Sequence, residues 1–203
     1  GLFLRQMAPA SAITMGICAL AWAIVSGGPI FQNPLVVGSW YNPSEAMAML
    51  AGAWILFAFC GPDGERKMTG QRALRVAQCL FGLACVVFGI AHFAYATYSK
   101  AFVPTWLPGP MTFVYITGAC HVAAGVGLIV GVLPRLAATL EAIMMTLFGV
   151  LVWVPTYFAH PMPTWAGSTQ NQCSETAMNV LLAGTAWLVA RSLRSNVWVR
   201  RRD

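Results

Sequence analysis

The chain has 203 residues and a mass of 21.8 kDa; 58% of the residues are hydrophobic, only 9% are charged, and the mean hydropathy is +0.67. Soluble domains carry about a quarter charged residues and disordered chains need low hydrophobicity, so both classes are excluded and an all-α integral membrane protein remains, with lipid as its solvent. The net charge of +6 comes from short segments between apolar runs, with no continuous basic face, and therefore predicts topology-setting charge beside a bilayer and no nucleic-acid partner.

A helix needs about 17–25 apolar residues to cross a bilayer. Six runs reach that length, at roughly 8–27, 45–61, 73–97, 111–133, 136–158 and 176–193, so the expected fold is a polytopic bundle of six transmembrane helices. The first run follows a single basic residue, Arg5, and ends in Ser26-Gly27-Gly28, a poor cleavage site, so it is expected to stay in the protein as a span. The second follows Asn42-Pro43-Ser44-Glu45 and the sixth follows Ser174-Glu175; both read as helix starts, with Glu45 and Glu175 placed to complement a helix dipole. These segments divide into residues 1–72, two N-terminal spans and a basic loop, and residues 73–203, a four-helix membrane bundle with a basic tail.

Six spans put both termini on one side of the membrane. That side takes Arg5, Arg66, Lys67, Arg72, Arg75, Arg135, Arg191, Arg194, Arg200, Arg201 and Arg202, eleven of the twelve basic residues, leaving Lys100 opposite. By the positive-inside rule the termini are expected to be cytoplasmic. The opposite loops, about 28–44, 98–110 and 159–175, are rich in Pro, Trp and Tyr, as an interfacial aromatic belt would be.

Ionisable residues inside spans are costly and prompt a functional reading. Three stand out: His92, His121 and Glu141. In the third span Gly82, Cys85, Gly89, His92 and Ala96 recur every three or four residues, and in the fourth Gly118, His121 and Gly125 do the same, so each histidine lies on a stripe of small residues. Such glycines either let two helices approach closely or leave room for a flat ligand. By sequence His92 lies roughly 7–8 Å and His121 roughly 15 Å below the aromatic side, at 1.5 Å per residue. A depth difference of that size suits a quinone, whose ring needs one or two donors, better than a haem, the second choice. The cofactor-site candidates are His92 and His121, with Tyr95, Trp106 and Tyr115 near the same surface. Glu141 is expected to pair with Arg72 or Arg75, or else to take up protons. No residue is assigned a catalytic role, and no Walker loop, GxGxxG, HExxH, CxxCH or GxSxG is present. Six cysteines without a CxxC spacing predict neither a disulfide framework nor a metal site.

Residues of about 73–192 resemble the DoxX-like family of small bacterial membrane proteins. The resemblance rests on His92-Phe93-Ala94-Tyr95, Val103-Pro104-Thr105-Trp106-Leu107-Pro108, Tyr115-Ile116-Thr117-Gly118, His121-Val122-Ala123-Ala124-Gly125 and Arg135-Leu136-Ala137-Ala138. It implies a four-helix bundle preceded by two extra helices, and an accessory subunit of a membrane redox complex, as in relatives that serve a thiosulfate:quinone oxidoreductase. The broader family often carries an acidic residue where this chain has His121. The resulting expectation is an inner-membrane subunit of respiratory or redox electron transfer that binds quinone, partnered by the bilayer and by other subunits; any enzymatic activity would be that of a quinone-linked oxidoreductase. The alternative is a non-catalytic structural or assembly subunit whose histidines only pack. The proline-rich segment Val103–Pro110 is expected above His92, as a lid or as a stiff connection.

Overall fold

The computed structural model describes residues 7–60 and 70–195, which form helices and connections with no strand among them. Arg5, Arg66, Lys67, Arg200, Arg201 and Arg202, used above to orient the chain, lie outside the described residues. Six long helices follow one another: α1 (Ala8–Ser26), α2 (Gly38–Cys60), α3 (Gln71–Ala94), α4 (Pro110–Val130), α5 (Pro134–Phe148) and α6 (Thr169–Ser192). A wide π turn, Gly149–Trp153, and a last α turn, Val154–Thr156, prolong α5.

Five of these segments are long and apolar enough to cross a membrane: Ala8–Gln32, Gly38–Cys60, Gln71–Ala94, Pro110–Val130 and Pro134–Thr156. The molecule thus has the character of a multi-pass membrane protein. The sixth helix is as long, but opens on the polar run Thr169-Gln170-Asn171-Gln172-Cys173-Ser174-Glu175-Thr176.

Hydrogen bonds between helix ends define two faces of the bundle. On the basic face, the Arg75 guanidinium of α3 donates to the Leu128 and Ile129 carbonyls at the end of α4, 2.6 Å each, and Arg135 of α5 donates to the Arg194 carbonyl beyond α6. A cation on the last carbonyls of a helix meets the negative end of its dipole. The α4–α5 turn closes tightly there, with Gly131 in the left-handed region at φ 75° and Pro134 at the start of α5. On the aromatic face, the Gly38 N–H at the start of α2 donates to the Tyr95 hydroxyl beyond α3 (2.9 Å), and the Tyr157 hydroxyl beyond α5 donates to Thr176 Oγ1 of α6 (3.1 Å).

One buried cluster runs through α2 to α6, joining Ala51 and Ile55 to Phe81, Leu128, Ala142 and Val189. The second helix therefore shares the core of the four that follow it. By contrast α1 packs on α2 with a stripe of small residues, Ala8, Ala12 and Ala19 buried and Gly16 facing Ala53, while Ile13, Ile17 and Ile24 stay exposed.

Both expected helix starts are corrected. Helix α2 begins at Gly38, not at Asn42-Pro43, and Pro43 lies inside it. Its opening turn is tied by the Gly38–Tyr95 bond and by the Trp40 indole donating to the Pro34 carbonyl (2.8 Å), which offsets the backbone bond that proline cannot make. Helix α6 is capped by Ser168, whose Oγ accepts from the Asn171 N–H (3.1 Å), so Ser174 is already in its second turn. Glu45 and Glu175 consequently sit beyond the first turn and do not cap anything.

Candidate functional site

The glycine stripes settle one of the open alternatives in favour of close approach. A Cβ built on Gly82 would stand 2.9 Å from the Gly125 carbonyl, and one on Gly118 would stand 2.9 Å from the His92 Cβ. The α3 and α4 backbones therefore touch along Gly82–Gly125 and Gly89–Gly118, leaving no slot between the glycines.

Above that seam the histidines converge. The His92 and His121 rings have centroids 5.0 Å apart, despite the different depths expected from their positions in the chain. The cause is side-chain direction: in a helix the Cα–Cβ bond tilts toward the N-terminus. Because α3 and α4 run antiparallel, His92 leans into the bundle and His121 leans back toward it. Phe148 of α5 lies beside both, stacked on His92 at 6.1 Å and tilted to His121 at 5.8 Å; Phe88 meets His121 edge-on at 6.1 Å.

Each imidazole is fixed through Nδ1. That of His92 lies 2.8 Å from the Phe88 carbonyl, one turn back on its own helix. His121 Nδ1 lies 2.7 Å from Glu141 Oε1, with both residues only 1% exposed. This pairing corrects the expected link of Glu141 to Arg72 or Arg75. Glu141 shares a buried face with Pro134, Ala138, Ala142 and Met145, which turns it into the bundle, while Arg75 is engaged with α4 carbonyls. The second carboxylate oxygen, Oε2, has no hydrogen-bond partner among the described residues, and the buried Cys85 thiol adjoins the same carboxylate.

A cavity of about 720 Å³ opens from the histidines toward the aromatic face. His92, His121, Phe88 and Phe148 lie at one end; Tyr41, Glu45, Tyr98, Phe102, Trp165 and Glu175 line the rest, with Leu151, Leu182 and Asn179 along the wall. With each Nδ1 engaged, Nε2 is the ring nitrogen left for a ligand in both histidines, and neither has a protein partner among the described residues.

The structure brings together three of the five sequence candidates, His92, His121 and Tyr95. Tyr115 is not on the cavity: six residues from His121, it sits roughly 240° around α4 at 100° per residue, and stacks on Phe93 over a separate surface groove. Trp106 is 68% exposed, while Val103, Pro104 and Leu107 of the same segment line the cavity, as a lid or connection above His92 would. Glu45, Glu175, Asn179 and Phe148 are among the lining residues that the sequence does not mark as a site. The signal available for the acids was helical phase, since Glu175 and Asn179 are one turn apart on α6. Among the described residues no group of three or more His, Cys, Asp or Glu is arranged to hold a metal ion.

A family described as "Domain of unknown function (DUF8561)" matches residues 81–190, from the middle of α3 to near the end of α6. No curated protein and no solved structure matches the chain.

Proposed function

The chain belongs to the DUF8561 family, and we propose that it is an integral membrane subunit of a redox complex that holds a quinone-type ring against His92 and His121. The observation that carries this reading is the buried His121–Glu141 pair at the end of a large, aromatic-walled cavity. The quinone–quinol pair fits that end: the quinol hydroxyls would donate to the imidazole Nε2 atoms, which accept because each Nδ1 carries the ring proton, and the ring needs flat apolar neighbours, which Phe88 and Phe148 supply. Bound there, a quinone would supply reversible transfer of two electrons and two protons.

The chain's own part is proton handling. His121 donates its Nδ1–H to Glu141 Oε1, which sets the tautomer and leaves Nε2 as the basic atom facing the ligand. The carboxylate stabilises the imidazolium when Nε2 takes a proton, and its unpartnered Oε2 is the next acceptor toward the bundle interior. His92, held by the Phe88 carbonyl, presents the second Nε2. A haem fits less well, because imidazoles packed directly on each other do not face one another across a macrocycle.

In this proposal α6 is a sixth span. At 1.5 Å per residue its 24 residues extend about 36 Å, enough for a bilayer core, and Gln172, Asn179 and Thr185 are buried within the bundle instead of facing lipid. With six spans the basic face is cytoplasmic in a bacterial inner membrane, in keeping with the DoxX-like resemblance, and Arg72, Arg75, Arg135, Arg191 and Arg194 gather there.

The test is lipid extraction, mass spectrometry and absorption spectroscopy on gently solubilised protein. An isoprenoid quinone that accompanies the native chain and is lost with His92→Ala or His121→Ala supports the reading. A quinone-free native protein, or quinone content unchanged in both variants, overturns it. A partner subunit destabilised by His92→Ala with no quinone involved would mark the structural alternative.

A further inference from the structure

The other end of the cavity has a different chemistry. Glu45 of α2 lines it and is 5% exposed, yet has no hydrogen bond or ion pair among the described residues. Glu175 of α6 lines the same space and is half-buried. One turn along α6, Asn179 is 8% exposed, also lines the cavity and also has no hydrogen-bond partner among the described residues. No Lys or Arg is among the lining residues, and Lys100, the basic residue of this face, does not reach it.

A buried carboxylate without a counter-charge is expensive, and a second carboxylate facing the same cavity adds to that cost. A positive charge between them would relieve both penalties. The remaining walls specify what kind. Tyr98 and Phe102 have ring centroids 5.0 Å apart, Phe102 and Trp165 4.9 Å, and Trp165 and Trp153 5.7 Å, with the successive rings steeply inclined. Aromatic faces set at angles around a space attract an organic cation through their quadrupoles and solvate it poorly if it is a small hydrated ion. The Phe88 ring packs on both Tyr41 (5.7 Å) and His121 (6.1 Å), so the two sets of groups share one cavity.

We propose that the end of the cavity bounded by Glu45, Glu175, Asn179 and the Tyr98–Phe102–Trp165–Trp153 aromatic wall binds an alkylammonium cation. The carboxylates supply the counter-charge, the rings receive the alkyl groups, and Asn179 offers an oxygen to any N–H or hydroxyl the ligand carries. The cation is either a free solute or the headgroup of a choline lipid. This site does not depend on the quinone reading.

The probe is tritiated choline, bound at equilibrium to the purified full-length protein in phosphatidylglycerol nanodiscs. Saturable binding is expected, with 3,3-dimethyl-1-butanol, the neutral isostere, competing at least about tenfold less well than unlabelled choline. Glu45→Gln and Glu175→Gln should each weaken binding by about tenfold and Trp165→Leu by about fivefold, in protein whose size-exclusion profile matches the parent. His92→Ala should leave choline binding within about twofold, because the imidazole supplies neither counter-charge nor a ring of the Tyr98–Phe102–Trp165–Trp153 wall; quinone content and choline binding thus fail separately. Loss of the choline signal in phosphatidylcholine nanodiscs assigns the ligand to a lipid headgroup, and its persistence assigns it to a solute; both support the ammonium chemistry. Equal competition by the isostere, displacement by millimolar sodium or calcium, binding unaffected by both glutamate variants, or no saturable binding would each overturn the proposal, and the first two need no variant to fold.

Discussion

The two halves of this bundle are built on opposite principles. Toward the basic face, α3 and α4 meet glycine to backbone at Gly82–Gly125, and Ala77, Ala84, Leu128 and Ala138 pack around them without exposure. Toward the aromatic face, α2 to α6 together line a cavity of about 720 Å³ walled by carboxylates, amides and rings. The π turn Gly149–Trp153 marks the change on α5: a side chain at Gly149 would strike Asn179 of α6, and past it Trp153 joins the aromatic wall. Wide turns of this kind recur at functional sites. Small residues thus give close contact and rigidity on one side, while large rings held apart leave space on the other. The His121–Glu141 pair sits at the join, Glu141 buried with Ala138, Ala142 and Met145 and His121 on the cavity wall.

The sharpest way to break that contrast is to remove one member of the pair. His121→Leu leaves the Glu141 carboxylate buried with neither oxygen bonded, and breaking a buried ion pair costs about 3–5 kcal/mol. Replacing both, His121→Leu with Glu141→Leu, should recover most of that loss, since an apolar pair of similar volume needs no compensation. Thermal melts of the four proteins in one detergent give the coupling; a double variant no more stable than His121→Leu alone would refute it.

Gly125→Val tests the dry seam itself. The added carbons strike the Gly82 carbonyl and Val86, and overpacking of a tight core costs about 1–3 kcal/mol. A gain of volume in the other half, Val152→Leu on the cavity wall, should stay within about 0.5 kcal/mol, since the added methylene has space to enter. Similar losses in the two variants would mean that the halves do not differ in packing.

On the basic face, Arg75→Met should cost about 1–2 kcal/mol by releasing the Leu128 and Ile129 carbonyls at the end of α4. The effect should be read as a lower melting temperature with unchanged helix content.

Much of this architecture was written in apolar run lengths, because a bilayer imposes length and hydropathy on every crossing helix. The runs at 73–97, 111–133 and 136–158 correspond to α3, α4 and the prolonged α5. The glycine–histidine stripes were equally legible, since spacing of three and four fixes a face. What periodicity does not encode is which neighbour that face meets. Glu141 was assigned to arginines by proximity to an interface, whereas the phase it shares with Ala138 and Ala142 turns it to His121. Polar helix starts misled in the same way: Asn42-Pro43 and Ser174 have the chemistry of helix beginnings, yet tertiary bonds from Tyr95 and a cap at Ser168 carry both helices further. That extension moved Glu45 and Glu175 from helix ends onto the cavity wall. Trp106 and Tyr115 were grouped with His92 by depth alone, and depth says nothing about direction around a helix or along a loop.

The smallest expected effect concerns the rim where the two halves are tied to α2. The Tyr95 hydroxyl accepts the Gly38 N–H at 2.9 Å, joining the end of α3 to the first turn of the helix that carries Glu45. Tyr95→Phe removes only that oxygen, and loss of one partly exposed hydrogen bond costs about 0.5–1.5 kcal/mol. Global melting should therefore move little. Amide exchange at Gly38–Tyr41 should accelerate, because the opening turn also lacks the backbone bond that Pro43 cannot donate. Exchange in the α3–α4 seam, which is held by backbone contact and not by this bond, should stay as slow as before. Equal acceleration in both places would mean that the cavity rim and the dry seam open as one unit, and the division of the bundle into two halves would fail.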